Sequence, residues 1–172
     1  MKKIHALMAL MTLMSLPLLA FDLKSELSKD LKKYVNALPG KGIVSDELKL
    51  EGIVLSNFKM MGGKKLLTCE PNECIDCQVN YKIDKDALSS LSVHSCVVGF
   101  HSEGPQERFK TFLGLMNDSG TAKFQLEAPS DEGVYEIRFA QTKGITEGQA
   151  FASWNDSPPS SNATMGIVIV KP

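Results

Sequence analysis

The sequence predicts an all-β fold, an antiparallel β-sandwich, preceded by a signal peptide and one short amphipathic helix. Three observations lead to this prediction. An apolar leader opens the chain, a stretch with helical hydrophobic spacing follows it, and after Gly42 apolar and polar residues alternate in short runs. The same changes of pattern divide the 172 residues into a leader (1–20), a helix with a linker (21–42) and a β-sandwich domain (43–172).

The leader has the layout of a secretory signal peptide. Lys2 and Lys3 precede an apolar run from Ile4 to Met14, and Pro17 and the small residue Ala20 follow. The run is too short for a comfortable membrane span, although a permanent N-terminal anchor is the alternative. We therefore expect a secreted or periplasmic protein with no integral membrane segment after signal cleavage.

The charge balance argues against a nucleic-acid partner. The formal net charge is −1, and removal of Lys2 and Lys3 with the leader makes it −3. Nucleic-acid binding usually needs a basic excess, which this chain lacks. The remaining length of about 150 residues suits one domain with a hydrophobic core of its own.

An amphipathic helix is predicted between the leader and the β domain. Apolar residues recur there at steps of three and four, with lysines and acidic residues filling the gaps. Pro39 and Gly40 then end the pattern. Packing of the apolar stripe on the following domain is the first interpretation, and a membrane-surface or partner-binding role is the second. The stripe consists of Phe21, Leu23, Leu27, Leu31, Tyr34, Val35 and Leu38.

After Gly42 the hydrophobic period falls to two, which predicts short strands separated by turns rich in Gly, Asn, Ser and Pro. No segment of helical length and period separates these strands, so antiparallel pairing is favoured over parallel βαβ units. The predicted strands are centred on residues 48–54, 79–83, 96–100, 109–116, 122–126, 135–139, 150–154 and 165–169.

The segment APSDEGVYEIRF (128–139) carries a family resemblance. It has a Pro-containing turn, then Gly133, then a strand with Tyr135 and Ile137 on one face. This resembles the corner that enters the penultimate strand of immunoglobulin-like sandwiches, where a tyrosine hydroxyl bonds back to the backbone. Together with CIDCQVNY and FASWNDSPPSSNATMGIVIV, it is similar to a small immunoglobulin-like module of uncharacterised secreted proteins. The resemblance covers about residues 65 to 172, and it implies a fold without an activity.

Four cysteines, Cys69, Cys74, Cys77 and Cys96, allow four interpretations. The spacing C-x4-C-x2-C matches an iron–sulfur motif, but Pro71 and the acidic residues of this loop suit a cluster poorly. Zinc usually takes two close cysteine pairs, and Cys96 has only His94 beside it. A Cys74–Cys77 redox pair would need a lowered thiol pKa, which acidic neighbours oppose.

A disulfide framework is the simplest interpretation for an exported chain. If the strands around Cys77 and Cys96 pair in antiparallel fashion with Ile83 opposite Ser90, the two cysteines face each other within bonding range. Cys69 and Cys74 would then close the small loop. This interpretation requires no catalytic residue, cofactor or metal.

Two function classes remain open. A binding module for an unknown protein or carbohydrate ligand would use the loops at one end of the sandwich. A secreted enzyme, either a thiol oxidoreductase or a carbohydrate hydrolase, is the alternative, although no serine hydrolase elbow or zinc-protease motif is present. Trp154 is a candidate binding aromatic or a core residue at the end of a strand, and burial of tryptophan is the commoner outcome.

Overall fold

A computed structural model describes residues 21–22, 43–88, 93–113, 115–144 and 146–171. The predicted signal peptide and residues 23–42 of the predicted helix segment lie outside these ranges. The described residues form eleven strands and one α-helix, so the prediction of a mainly β fold is confirmed. The strands are β1 (Phe21–Asp22), β2 (Ile43–Val44), β3 (Glu47–Leu50), β4 (Ile53–Met60), β5 (Leu66–Cys69), β6 (Cys74–Ile83), β7 (Val93–Phe100), β8 (Gly104–Leu113), β9 (Asp118–Glu127), β10 (Gly133–Lys143) and β11 (Thr164–Val170).

Nine of these strands form two sheets. The larger sheet has the order β5-β11-β10-β7-β8, and the smaller sheet has the order β3-β4-β6-β9. Neighbouring strands are antiparallel except β5 and β11, which are parallel. The short strands β1 and β2 pair with each other, so Phe21–Asp22, placed in the helix segment by the sequence, belong to a strand.

The two sheets pack face to face through a shared aromatic core. Phe58 of β4 meets Phe139 of β10 edge to face with 5.2 Å between ring centroids, and Phe124 of β9 lies 6.3 Å from Phe139. Gly166 of β11 leaves space for the ring of Phe58, because a β-carbon at Gly166 would lie 2.5 Å from Cε1 of Phe58. The period-2 patterns of β9 and β10 place Phe124 and Phe139 on this inward face.

A bulge in β4 decides which of its side chains enter this core. The pairing of β4 with β6 shifts between Ser56 and Lys59, and Asn57 adopts a positive φ of 52°. Asparagine tolerates this left-handed conformation better than most residues. The extra residue reverses the alternation, so Phe58 and Met60 face the core while Lys59 remains partly exposed.

One predicted strand is wrong, because Ala150 to Trp154 belong to an α-helix, α1 (Glu147–Asp156). Thr146 caps this helix by accepting a hydrogen bond from the backbone N–H of Gln149, whose side chain bonds back to the Thr146 backbone. This capping box is a sequence signal that predicts the helix start. The helix packs on the outer face of the larger sheet, where Ala150 and Trp154 contact Val97.

The predicted corner around Tyr135 is present. The Tyr135 hydroxyl donates a hydrogen bond of 2.8 Å to the backbone carbonyl of Asp131. Gly133 leaves room for the tyrosine ring, because a β-carbon there would lie 3.1 Å from Cε2 of Tyr135. Ile137, two residues further along β10, is fully buried as expected.

Candidate functional site

The predicted pairing of the strands that carry Cys77 and Cys96 is wrong. Cys77 lies on β6 of the smaller sheet, opposite Met60 and Phe124, whereas Cys96 lies on β7 of the larger sheet. Ile83 pairs with Ile53 of β4 and with Asp118 of β9, both within the smaller sheet. The two strands follow each other in sequence, but the connection between them crosses from one sheet to the other.

All four cysteines are free thiols in this structure. Cys69 and Cys77 are buried, Cys96 is fully buried and Cys74 is exposed. Burial raises the pKa of the Cys77 thiol to about 12, and the Asp76 carboxylate and Cys74 add to this rise. Burial also raises the pKa of Cys96 to about 12, against a smaller lowering by Lys110. Neither thiol is therefore activated as a nucleophile at neutral pH.

The geometry of β6 argues against a redox pair formed by Cys74 and Cys77. The two residues lie three positions apart on one continuous strand, where Cα atoms three residues apart are separated by about 10 Å. A disulfide needs Cα atoms within about 7 Å. Cys74 is also exposed while Cys77 faces the core, because an odd spacing places two strand residues on opposite faces.

His94 is a core residue in this structure. It is 1% exposed, stacks on Phe112 at a ring distance of 5.4 Å, and lies with Nδ1 2.9 Å from the amide nitrogen of Gln141. In the part of the chain that the structure describes, no three His, Cys, Asp or Glu side chains come together as a metal site.

Trp154 is 1% exposed and fills the space between α1 and the larger sheet. A fully buried indole offers no surface to a ligand, so the structure places this candidate binding residue in the core. Its role in this conformation is to fix the helix on Val97 and Ala140.

Beside this helix, a buried ion pair ties the segment before β11 to the larger sheet. Arg138 and Glu136 are each 2% exposed, and the Arg138 guanidinium donates to one oxygen of Glu136 through both Nε (2.9 Å) and Nη2. Nη1 of Arg138 donates to the Pro159 carbonyl at 2.7 Å and lies 2.8 Å from Nδ1 of His101. Since arginine has no acceptor, Nδ1 of His101 must accept. Thr164 completes the cluster by donating to Glu136 at 3.1 Å.

The end of β8 and its connection to β9 carry three exposed apolar side chains, which we call the loop-end patch: Leu113, Leu115 and Met116. Their side chains are 51%, 56% and 74% exposed, and they are the large hydrophobic residues found exposed within the described ranges. The sequence pattern assigned all three to a strand, but β8 ends at Leu113. Asn117 follows Met116 in the sequence, and because asparagine favours turns it was the sequence feature that could have predicted a loop here.

The base of this loop is held by a polar contact between the sheets. Lys110 of β8 donates hydrogen bonds to Asp118 of β9 at 2.7 Å and to the Tyr81 hydroxyl at 2.9 Å. Its ammonium also lies 4.4 Å from the Tyr81 ring centroid. The hydrogen bond from Lys110 lowers the pKa of Asp118, and the pKa of Lys110 is raised because its bonds to Asp118 and Tyr81 outweigh the effect of burial.

An open cavity of about 700 Å³ lies on the smaller sheet, over β4, β6 and β9. The turn Met61–Gly63 forms one wall, and both of its glycines have positive φ angles. Met60, Cys77 and Phe124 also line the cavity, together with polar side chains of the three strands. The polar side chains are Lys59, Asp76, Gln78, Lys123 and Gln125.

No helix in the described ranges has the length and apolar character needed to span a membrane. In comparisons with known proteins, no family model, no curated protein and no solved structure matched this chain.

Proposed function

We propose that this chain is an exported immunoglobulin-like β-sandwich that binds another protein through the loop-end patch. The observation that carries the proposal is the exposure of Leu113, Leu115 and Met116, three apolar side chains within four positions, where the chain passes from β8 of the larger sheet to β9 of the smaller sheet. Exposed groups of apolar side chains are uncommon on soluble domains and often mark interaction surfaces.

The strand order supports the immunoglobulin-like part of the proposal. The order β11-β10-β7-β8 corresponds to strands G, F, C and C′ of a variable-type domain, and β4-β6-β9 corresponds to A, B and E. The hydrogen bond from Tyr135 to the Asp131 carbonyl lies at the start of the strand that corresponds to F, where such domains have their tyrosine corner. Loops at the opposite end of such sandwiches, where the loop-end patch lies, commonly carry recognition.

The chemistry of the patch favours a protein over a carbohydrate partner. Its members are aliphatic or thioether side chains without an aromatic ring on which a sugar could stack. Covering them would release about 1 to 2 kcal/mol for each side chain, given their present exposure. The Lys110–Asp118 contact stiffens the base of the loop, which lowers the entropy lost on binding.

Export would also place the cysteines in an oxidising compartment, and the Cys69–Cys74 and Cys77–Cys96 disulfides are part of the proposal. Glu70 to Glu73 form a turn closed by a 3.3 Å backbone hydrogen bond, with Asn72 at a φ of 58°, and this turn returns the chain from Cys69 toward Cys74. Cys77 and Cys96 both face the core shared by the sheets. Peptide mapping of the exported protein without reductant tests both bonds.

A photo-crosslinking amino acid at position 116 tests the binding proposal in the cells that export the protein. We expect a discrete covalent adduct with another protein, identified by mass spectrometry. The same amino acid at Lys49, an exposed position on the edge strand β3, is the matched control. Absence of an adduct at position 116, or the same adduct from both positions, would contradict the proposal.

A further inference from the structure

We propose that the cavity on the smaller sheet is a second binding site, specific for an acidic oligosaccharide whose carboxylate lies between Lys59 and Lys123. The proposal does not depend on the loop-end patch, because it concerns the outer face of the sheet and a different class of ligand.

Strand pairing aligns the three central residues of this cavity. Lys59 of β4 lies opposite Gln78 of β6, and Gln78 lies opposite Lys123 of β9. Neighbouring strands are separated by about 5 Å, so the two lysine Cα atoms lie about 10 Å apart with the amide of Gln78 between them. The bulge at Asn57 creates this row, because without it Lys59 would point to the core.

The two lysines have no partner within the described part of the chain. Neither forms a hydrogen bond or an ion pair there, in contrast to Lys65 and Lys110, which bind Asp46 and Asp118. Asp76 is the carboxylate among the lining residues, and it accepts a hydrogen bond of 2.8 Å from Gln125. Two ammonium groups facing one engaged carboxylate make the cavity attractive to an anion, in a chain whose net charge is negative.

The rest of the cavity suits a sugar chain better than a small inorganic anion. A volume of about 700 Å³ is far larger than one sulfate or phosphate needs and lies within the usual range for organic ligands. Gln78 and Gln125 offer amide groups that can donate to and accept from sugar hydroxyls.

Calorimetric titration of the full chain with trigalacturonic acid tests the proposal, with neutral galactotriose and sodium sulfate as comparison ligands. We expect the acidic trisaccharide to bind, with an affinity that falls as salt is added, and the neutral one to bind much more weakly. Replacing both lysines with glutamine (Lys59→Gln, Lys123→Gln) should weaken binding about tenfold or more.

Lys82→Gln is the matched control, since Lys82 is exposed on the same face of β6 but outside this cavity. The affinity of the Lys82→Gln variant for trigalacturonic acid should stay within about twofold of that of the original chain, because exposed charges act weakly beyond the Debye length. Equal affinity for galactotriose, an equal loss in the Lys82 variant, or no binding of trigalacturonic acid would each overturn the proposal. Sulfate binding as tight as that of the saccharide would overturn it as well, since the cavity would then be a general anion site.

Discussion

Replacement of Arg138 with methionine should destabilise the domain by about 3–5 kcal/mol, the usual cost of removing one partner from a buried ion pair. The size follows from the burial of both groups, each 2% exposed, and from the bonds that Arg138 makes to Glu136 and to the Pro159 carbonyl. Methionine keeps most of the apolar volume of the side chain. The lost stability therefore reflects the missing hydrogen bonds of Arg138 and the Glu136 carboxylate that stays buried without its cation.

Urea denaturation at several pH values measures this effect and its cause. In the variant a carboxylate is buried without its cation, and burying an unpaired charge costs far more than burying a neutral group, so the loss of stability depends on pH. The deficit should then be largest at neutral pH and should shrink as the pH falls toward 4. Lys143→Met, at an exposed position of the same strand, is the control and should change stability little. A deficit below about 1 kcal/mol, or one that does not change with pH, would refute this reasoning.

Three further predictions concern the core and the corner. Trp154→Ala should cost about 3–5 kcal/mol in denaturation experiments, because it empties the contact between α1 and the sheet, and an unchanged midpoint would contradict the packing described here. Tyr135→Phe should cost about 0.5–1.5 kcal/mol through loss of the bond to Asp131, and a neutral result would mean that this bond adds no stability. With the thiols kept reduced, the free energy of unfolding should fall as the pH rises from 9 toward 12. The pKa of Cys77 and of Cys96 is 9.0 in the unfolded chain but about 12 in the folded protein, so between these values the unfolded chain loses protons that the folded protein keeps. In the double variant Cys77→Ala, Cys96→Ala, the free energy of unfolding should depend less on pH over this range. The same pH dependence in both proteins would contradict a role of the buried thiols in it.

The strands were largely predictable from sequence because a half-buried strand repeats with a period of two. Residues 79–83 and 135–139 alternate clearly, and both lie within observed strands. The Tyr135 corner was predictable for a local reason, since its hydrogen bond spans only four residues.

Features that depend on distant contacts were not predictable in the same way. The alternation of β6 and β7 does not say whether the two strands pair or cross between sheets, so Cys77 and Cys96 were matched in the wrong arrangement. The segment from Ala150 to Trp154 is too short and apolar for its period to separate a strand from a helix. The row of Lys59, Gln78 and Lys123 depends on a single bulge, which only the paired strand reveals.

The most direct test of the central claim combines cross-linking and melting for a Leu115→Ser variant that carries the photo-crosslinking amino acid at position 116. Leu115 is 56% exposed, so serine there should leave the melting temperature nearly unchanged. If the loop-end patch binds a partner protein, the yield of the cross-linked adduct should fall strongly while the melting temperature stays the same. An adduct of undiminished yield would contradict the claim that this patch is the binding surface.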